Sequence, residues 1–287
     1  MNPMYTKEGV KLQKESIPSE EITTKLLFDR EDGVTIGKSS VVGSRREQQD
    51  VIVSDLDFDY MEKGRMIAVL CDGMGGMQGG AMASQICAGN LYHAFHTMPE
   101  NMNICTFFEA ILPHLDNDVY SLKGSDGERL RSGTTLVCVV LTEGHLYLCN
   151  VGDSHAYLIR EGKLNLISEE HNYMMLLLED VAQGKLTLKE ARQNPRREAL
   201  VSYIGMGGLK YRQITNPPLE MRHGDTVVLC SDGLYRTLPE QEILQIVRQN
   251  GTDVQQAATQ LTAAAIAKAK RNQDNTSVVV MKYQQVR

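Results

Sequence analysis

Apolar positions along this chain fall into two rhythms. From Gly33 onward, short runs rich in Val, Ile and Leu recur between Gly, Asn and Asp residues, which is how strands read. They span 34–42, 51–58, 65–71, 134–142, 145–151, 155–160, 163–167, 226–231 and 276–283. Glu161-Gly162, between two of these runs, predicts a tight hairpin. Longer patterns at 79–97 and 104–122 predict two helices that follow a strand together. At 253–270, Val254, Ala258, Leu261 and Ala265 share one helical face. Another helix is expected at about 238–249, with Pro239 in its first turn and Thr237 as its cap. Residues 171–200 read as a polar, helix-forming insertion. Residues 1–31 are polar and aperiodic, an N-terminal extension to one domain over 32–287.

Consecutive strands joined by short turns favour antiparallel pairing, and the helices come in pairs instead of alternating with strands. The fold class is therefore α+β, with antiparallel sheets covered by helices. So many strands call for two stacked sheets.

Composition narrows the function classes. A chain of 287 residues can bury roughly three quarters of its unfolded surface without disulfide staples. The net charge of -6 argues against a nucleic-acid partner, which calls for a basic face. No apolar run is long enough to span a membrane, and the first residues lack the apolar stretch of a secretion signal. The expected setting is cytoplasmic. Cys71, Cys87, Cys105, Cys138, Cys149 and Cys230 form no CxxC pair, so they read as packing thiols and not as zinc ligands or nucleophiles.

The acids carry more information. Asp72 ends one apolar run and Asp232 another, while Asp50 and Asp274 stand immediately before runs. In antiparallel neighbours the start of one strand lies beside the end of the next, so four acids can converge on one rim. Such a cluster needs compensating positive charge, and no Lys or Arg run stands near three of the four. Divalent cations are the simplest compensation, and all-oxygen ligation selects Mg²⁺ or Mn²⁺. Taken singly, each Asp-Gly is an ordinary turn, as is Asp153 in Asn150-Val151-Gly152-Asp153. The joint pattern, with Gly73-Met74-Gly75-Gly76 behind Asp72, departs from that expectation, because glycines let backbone approach a ligand.

Several motifs occur in order: GSRREQQD at 43–50, AVLCDGMGGMQGGAMAS at 68–84, SGTTLVCVVL at 132–141, CNVGDSHAYLIREGKL at 149–164, VVLCSDGLY at 227–235 and QDNTSVVVM at 273–281. Together they make the chain, over roughly 33–287, resemble the metal-dependent protein phosphatases of the type-2C (PPM) family, in particular its bacterial members. The resemblance implies a sandwich of two antiparallel sheets between helix pairs. It implies that Asp50, Asp72, Asp232, Asp274 and the Gly73 carbonyl hold two central ions. Asp153 would help to hold a third, weaker ion. Arg45 would grip the substrate phosphate, a bidentate task that suits guanidinium. The insertion at 171–200, with His171 at its start, corresponds to a mobile flap. Departures accompany the likeness: Met74 stands where many members have histidine, His155 where arginine is usual, and Gln49, Met77 and Ala81 also differ.

The reaction so implied is direct hydrolysis of phosphoserine and phosphothreonine by a hydroxide bridging two ions. Its partners would be proteins phosphorylated by a serine/threonine kinase. Two rivals stay open: a silent phosphoprotein-binding module of the same fold, and a phosphatase dedicated to one regulator or a small phosphorylated metabolite.

Overall fold

The computed structural model describes residues 27–29, 32–55, 65–76, 79–269 and 272–285. Apart from 27–29, the extension read at 1–31 lies outside these residues, as does Met77. Strands β1 (Leu27–Asp29), β2 (Asp32–Val41), β3 (Asp50–Ser54) and β4 (Arg65–Gly75) precede helices α1 (Gly79–Thr97) and α2 (Ile104–Tyr120). Next come β5 (Ser132–Thr134), β6 (Leu136–Thr142), β7 (His145–Val151), β8 (His155–Arg160) and β9 (Lys163–Leu166). The insertion carries α3 (Tyr173–Ala182) and α4 (Leu188–Gln193). After it follow β10 (Gln213–Ile214), β11 (Leu219–Glu220), β12 (Thr226–Cys230), α5 (Asp232–Tyr235), α6 (Glu240–Asn250), α7 (Val254–Lys268) and β13 (Thr276–Gln285).

The strands form two antiparallel sheets, as the run of short turns predicts. One has the order β1-β2-β13-β12-β8-β9; the other has β10-β7-β6-β4-β3, with β11 beside β7 and β5 beside β4. Three apolar layers explain why several strands are apolar at every position. In β6, Leu136, Cys138 and Val140 pack toward α1 and α2, while Val137, Val139 and Leu141 fill the gap between the sheets. In β12, Val227 and Leu229 face that gap, and Val228 and Cys230 pack with residues of α6 and α7. Alternation along a strand thus feeds two cores at once.

Local readings shift in three places. β4 continues through Gly75 because Gly73, Met74 and Gly75 pair with β5. Pro239 is the N-cap of α6, with ψ at 148°, so the helix starts two residues later than expected. Thr237 caps nothing there; its hydroxyl bonds to Gln273 at 3.0 Å.

Candidate active site

The same alternation builds the site. Met66, Ala68 and Leu70 of β4 face the gap between the sheets, so Asp72 falls on that face where the strand reaches the rim. Asp50 is the direct register partner of Asp72 across β3 and β4. From the other sheet, Val227 and Leu229 face the gap and Ser231 continues their parity. Its hydroxyl donates to Asp50 Oδ2 at 2.7 Å, and the Ser277 backbone N–H donates to the same hydroxyl at 3.0 Å. One serine therefore ties both sheets at the rim. Asp232 opens α5 immediately after it, and Asp274 precedes β13.

Gly73 is glycine for space. Its N–H donates to Gln49 O at 3.0 Å, and a Cβ there would overlap the Gly80 carbonyl oxygen. The Asp72 carbonyl accepts from the Thr135 N–H and the Thr134 hydroxyl, both at 2.9 Å, and the Asp72 N–H bonds Thr135 Oγ1 at 3.0 Å. The loop bearing Arg45 is laced by Asn275, whose amide donates to Val42 O and Glu47 O while its oxygen accepts from the Gln49 N–H.

These elements surround a cleft of about 530 Å³ lined by Arg45, Asp72, Gly73, Met74, Asp153, Asp232, Arg236 and Asp274. Asp50 lies behind the lining, 4% exposed. Burial pushes the Asp50 carboxyl up to about 7, although Ser231 pulls it down. Asp72 is held well above its ordinary range by burial first, then by Asp50, Asp232 and Asp153. Burial also raises Asp232 to about 6 against the pull of Arg236. Asp50 Oδ1 and Asp232 Oδ1 are buried and take no hydrogen bond among the described residues. Hard oxygen donors, crowded, desolvated and lacking partners, suit divalent ions of the Mg²⁺ or Mn²⁺ type.

All the acids expected at the rim are brought together there, yet their counter-charge differs from the expectation. Arg45 Nη2 bonds Asp274 Oδ2 at 2.5 Å. Arg236, one turn after Asp232, bonds Asp153 Oδ2 and Asp232 Oδ2, each at 3.1 Å. Part of the compensation is arginine, supplied by tertiary placement instead of a run of basic residues. No three Asp, Glu, His or Cys side chains among the described residues converge as a ready-made ligand shell. Arg236, Ser231 and Asn275 are the site residues that sequence reasoning missed. The signals were the position four after Asp232, the serine before it, and the asparagine after Asp274.

Asp153 follows Gly152, whose N–H donates to His171 Nδ1 at 3.1 Å. Burial lowers His171 to about 4, so its ring is neutral and can accept. His155 packs flat on Tyr235, centroids 3.7 Å apart, between the Tyr157 hydroxyl and Glu170, each at 2.7 Å. Asn172 and Leu200 bridge the two ends of the insertion. Glu198 and Leu200 reach the cleft wall.

A family profile described as protein phosphatase 2C matches residues 42–269. The serine/threonine phosphatase stp of Listeria monocytogenes serotype 4b is 26% identical over 218 residues, covering 75% of this chain and 83% of its own. A serine/threonine phosphatase structure from S. agalactiae superposes with a TM-score of 0.73 at 24% identity, covering 87% of this chain and 99% of that one. The catalytic domain of the serine/threonine protein phosphatase PstP, solved with 2 manganese ions, superposes with a TM-score of 0.68 at 25% identity, over 88% and 98% of the two chains.

Proposed function

Since the chain belongs to the protein phosphatase 2C family, we propose that it hydrolyses phosphoserine and phosphothreonine in other proteins at this rim, with bound Mn²⁺ or Mg²⁺. The single observation that carries the reading is the cluster of desolvated acids at the cleft, two of them with an unpartnered oxygen.

Asp50, Asp72, Asp232, Asp274 and the Gly73 carbonyl would hold two central ions. When bound, such ions supply Lewis acidity toward phosphoryl oxygens and lower the pKa of water beside phosphorus. The chain's own residues do the rest. Ser231 and the β3–β4 pairing fix Asp50 and Asp72, while Asp232 and Asp274 would turn from their arginines to complete the set of donors. Arg45, its side chain 59% exposed, stands at the mouth paired with Asp274. A phosphate dianion offers its guanidinium a second, bidentate partner and draws the substrate toward the acids. Five of the six thiols, Cys71, Cys87, Cys138, Cys149 and Cys230, are buried, and none of the six lines the cleft. Burial pushes Cys71, Cys138, Cys149 and Cys230 upward, so no cysteine is poised as a nucleophile. No histidine lines the cleft among the described residues, and Met74 occupies its wall. Water is thus the proton source for the departing serine or threonine oxygen.

Partners are phosphorylated proteins from a serine/threonine kinase, and a cytoplasmic setting suits six free thiols. No helix among the described residues is long and apolar enough to cross a membrane. The test is phosphate release from a phosphothreonine peptide with Mn²⁺, after chelation, and in Asp232→Asn. Release that stops with chelator and in the variant supports the reading. Equal release in both proteins favours a silent module, and faster release from sugar phosphates favours a metabolite phosphatase.

A further inference from the structure

Each nitrogen of the Arg236 guanidinium faces a different carboxylate. Nε bonds Asp232 Oδ2 and Nη2 bonds Asp153 Oδ2, each at 3.1 Å, while Nη1 bonds Glu198 Oε2 at 3.0 Å. The position is set by the backbone: Arg236 caps α5, so it projects beside Asp232, the first residue of the same turn. Burial opposes its charge, yet Asp232, Tyr235 and Asp153 outweigh that cost and hold its pKa above the usual arginine value. The fork cannot lose its proton and matches carboxylate geometry on several edges.

Asp153 is closed in on its other side as well. The Tyr235 hydroxyl reaches the same Oδ2 at 3.4 Å, and the Tyr235 ring is pinned flat against His155. His155 is in turn fastened by Tyr157 and Glu170. Asp153 thus has a cation, a hydroxyl donor and a rigid wall. Asp50 differs, with serine hydroxyls and no cation as partners, and with one oxygen that takes no hydrogen bond among the described residues.

We infer that Arg236 is a built-in cation that takes, beside Asp153, the place of a further divalent ion, so the site takes up two ions and not three. A dication next to Asp153 would meet the guanidinium at contact range, where like charges repel strongly in partly buried surroundings. Arg236 also fastens Glu198, at the end of the insertion, to the cleft wall.

This inference rests on the rim being a divalent-ion centre, and the test separates the two. Full-length protein is chelated and dialysed against millimolar Mn²⁺, and bound manganese per chain is counted by elemental analysis. Two ions are expected in wild type, in Arg236→Lys and in Asp153→Asn. Three are expected in Arg236→Met, with the added site at least about tenfold tighter than any extra binding in wild type. A third ion in wild type overturns the inference while leaving the phosphatase reading intact. So does loss of an ion in Asp153→Asn, which needs no change at Arg236 and guards against a misfolded methionine variant. Wild type that binds no manganese defeats the divalent-ion reading itself.

Discussion

Two sets of buried aspartates sit in one molecule under opposite conditions. Away from the cleft, Asp116, 4% exposed, accepts the backbone N–H groups of Gly205, Met206 and Gly208 at 2.6–2.9 Å. Asp225 takes the Arg160 guanidinium at 2.6 Å and the Arg222 N–H at 2.7 Å. Asp55 accepts from the Ile67 N–H and the Tyr92 hydroxyl, and pairs with His96. At the rim, Asp50 is as buried as Asp116, yet with Ser231 and Ser277 as its hydroxyl partners it still keeps one bare oxygen, and Asp232 also keeps a bare oxygen. Asp50 and Asp116 share the same burial; what differs is that compensation at the rim is incomplete. An acid that the fold leaves short of partners is one whose missing partner comes from outside the chain.

Asp72 carries the largest expected effect. Asp72→Asn should cut Mn²⁺-dependent phosphate release by more than about a hundredfold, since losing even outer partners of a metal costs 10–100-fold. A steady-state assay near wild-type rates would place the chemistry elsewhere. Asp116→Ala should do the reverse. Leaving its amides unpaired costs roughly 3 kcal/mol of stability in urea unfolding. Activity per folded molecule should stay within a few-fold of wild type. Smaller again, Arg45→Lys keeps the charge but loses the fork, and kcat/KM on a phosphopeptide should fall about tenfold.

The smallest expected effect is on the pH dependence of stability. Asp50 and Asp232 have folded pKa values near 7 and 6, above their ordinary value. Between about pH 4 and 7 the folded state holds protons the unfolded chain has lost, so chelated protein should lose stability as pH rises through that window. Below about pH 4 that contribution is fully present. Melting curves across the window, with chelator and with Mn²⁺, check this, and added Mn²⁺ should reverse the trend. A chelated protein that grew more stable from pH 4 to 7 would contradict the assignment.

Much of this was legible in the chain. Asp50 and Asp72 sit at a strand start and a strand end, and antiparallel pairing makes them register partners. The apolar runs of β6 and β12 announced strands buried on both faces. What stayed hidden depends on contacts between distant segments. Ser231 before Asp232 reads as a turn residue, and only the stacking of two sheets aims its hydroxyl at Asp50. Arg236 reads as a lone surface arginine until α5 coils and brings it over Asp153 and Asp232. The strand character of Gly73–Gly75 was hidden because glycine carries no β propensity, and the pairing comes from β5, far along the chain.

The most direct measurement is the Mn²⁺-induced change in melting temperature of wild type beside Asp72→Asn, both starting from chelated protein at neutral pH. Removing a repelling charge should let the chelated variant melt above chelated wild type, and binding of ions should lift wild type by several degrees but the variant hardly at all. A variant that melts lower without metal and gains as much from Mn²⁺ as wild type would contradict the claim that these incompletely compensated acids are there to hold the ions.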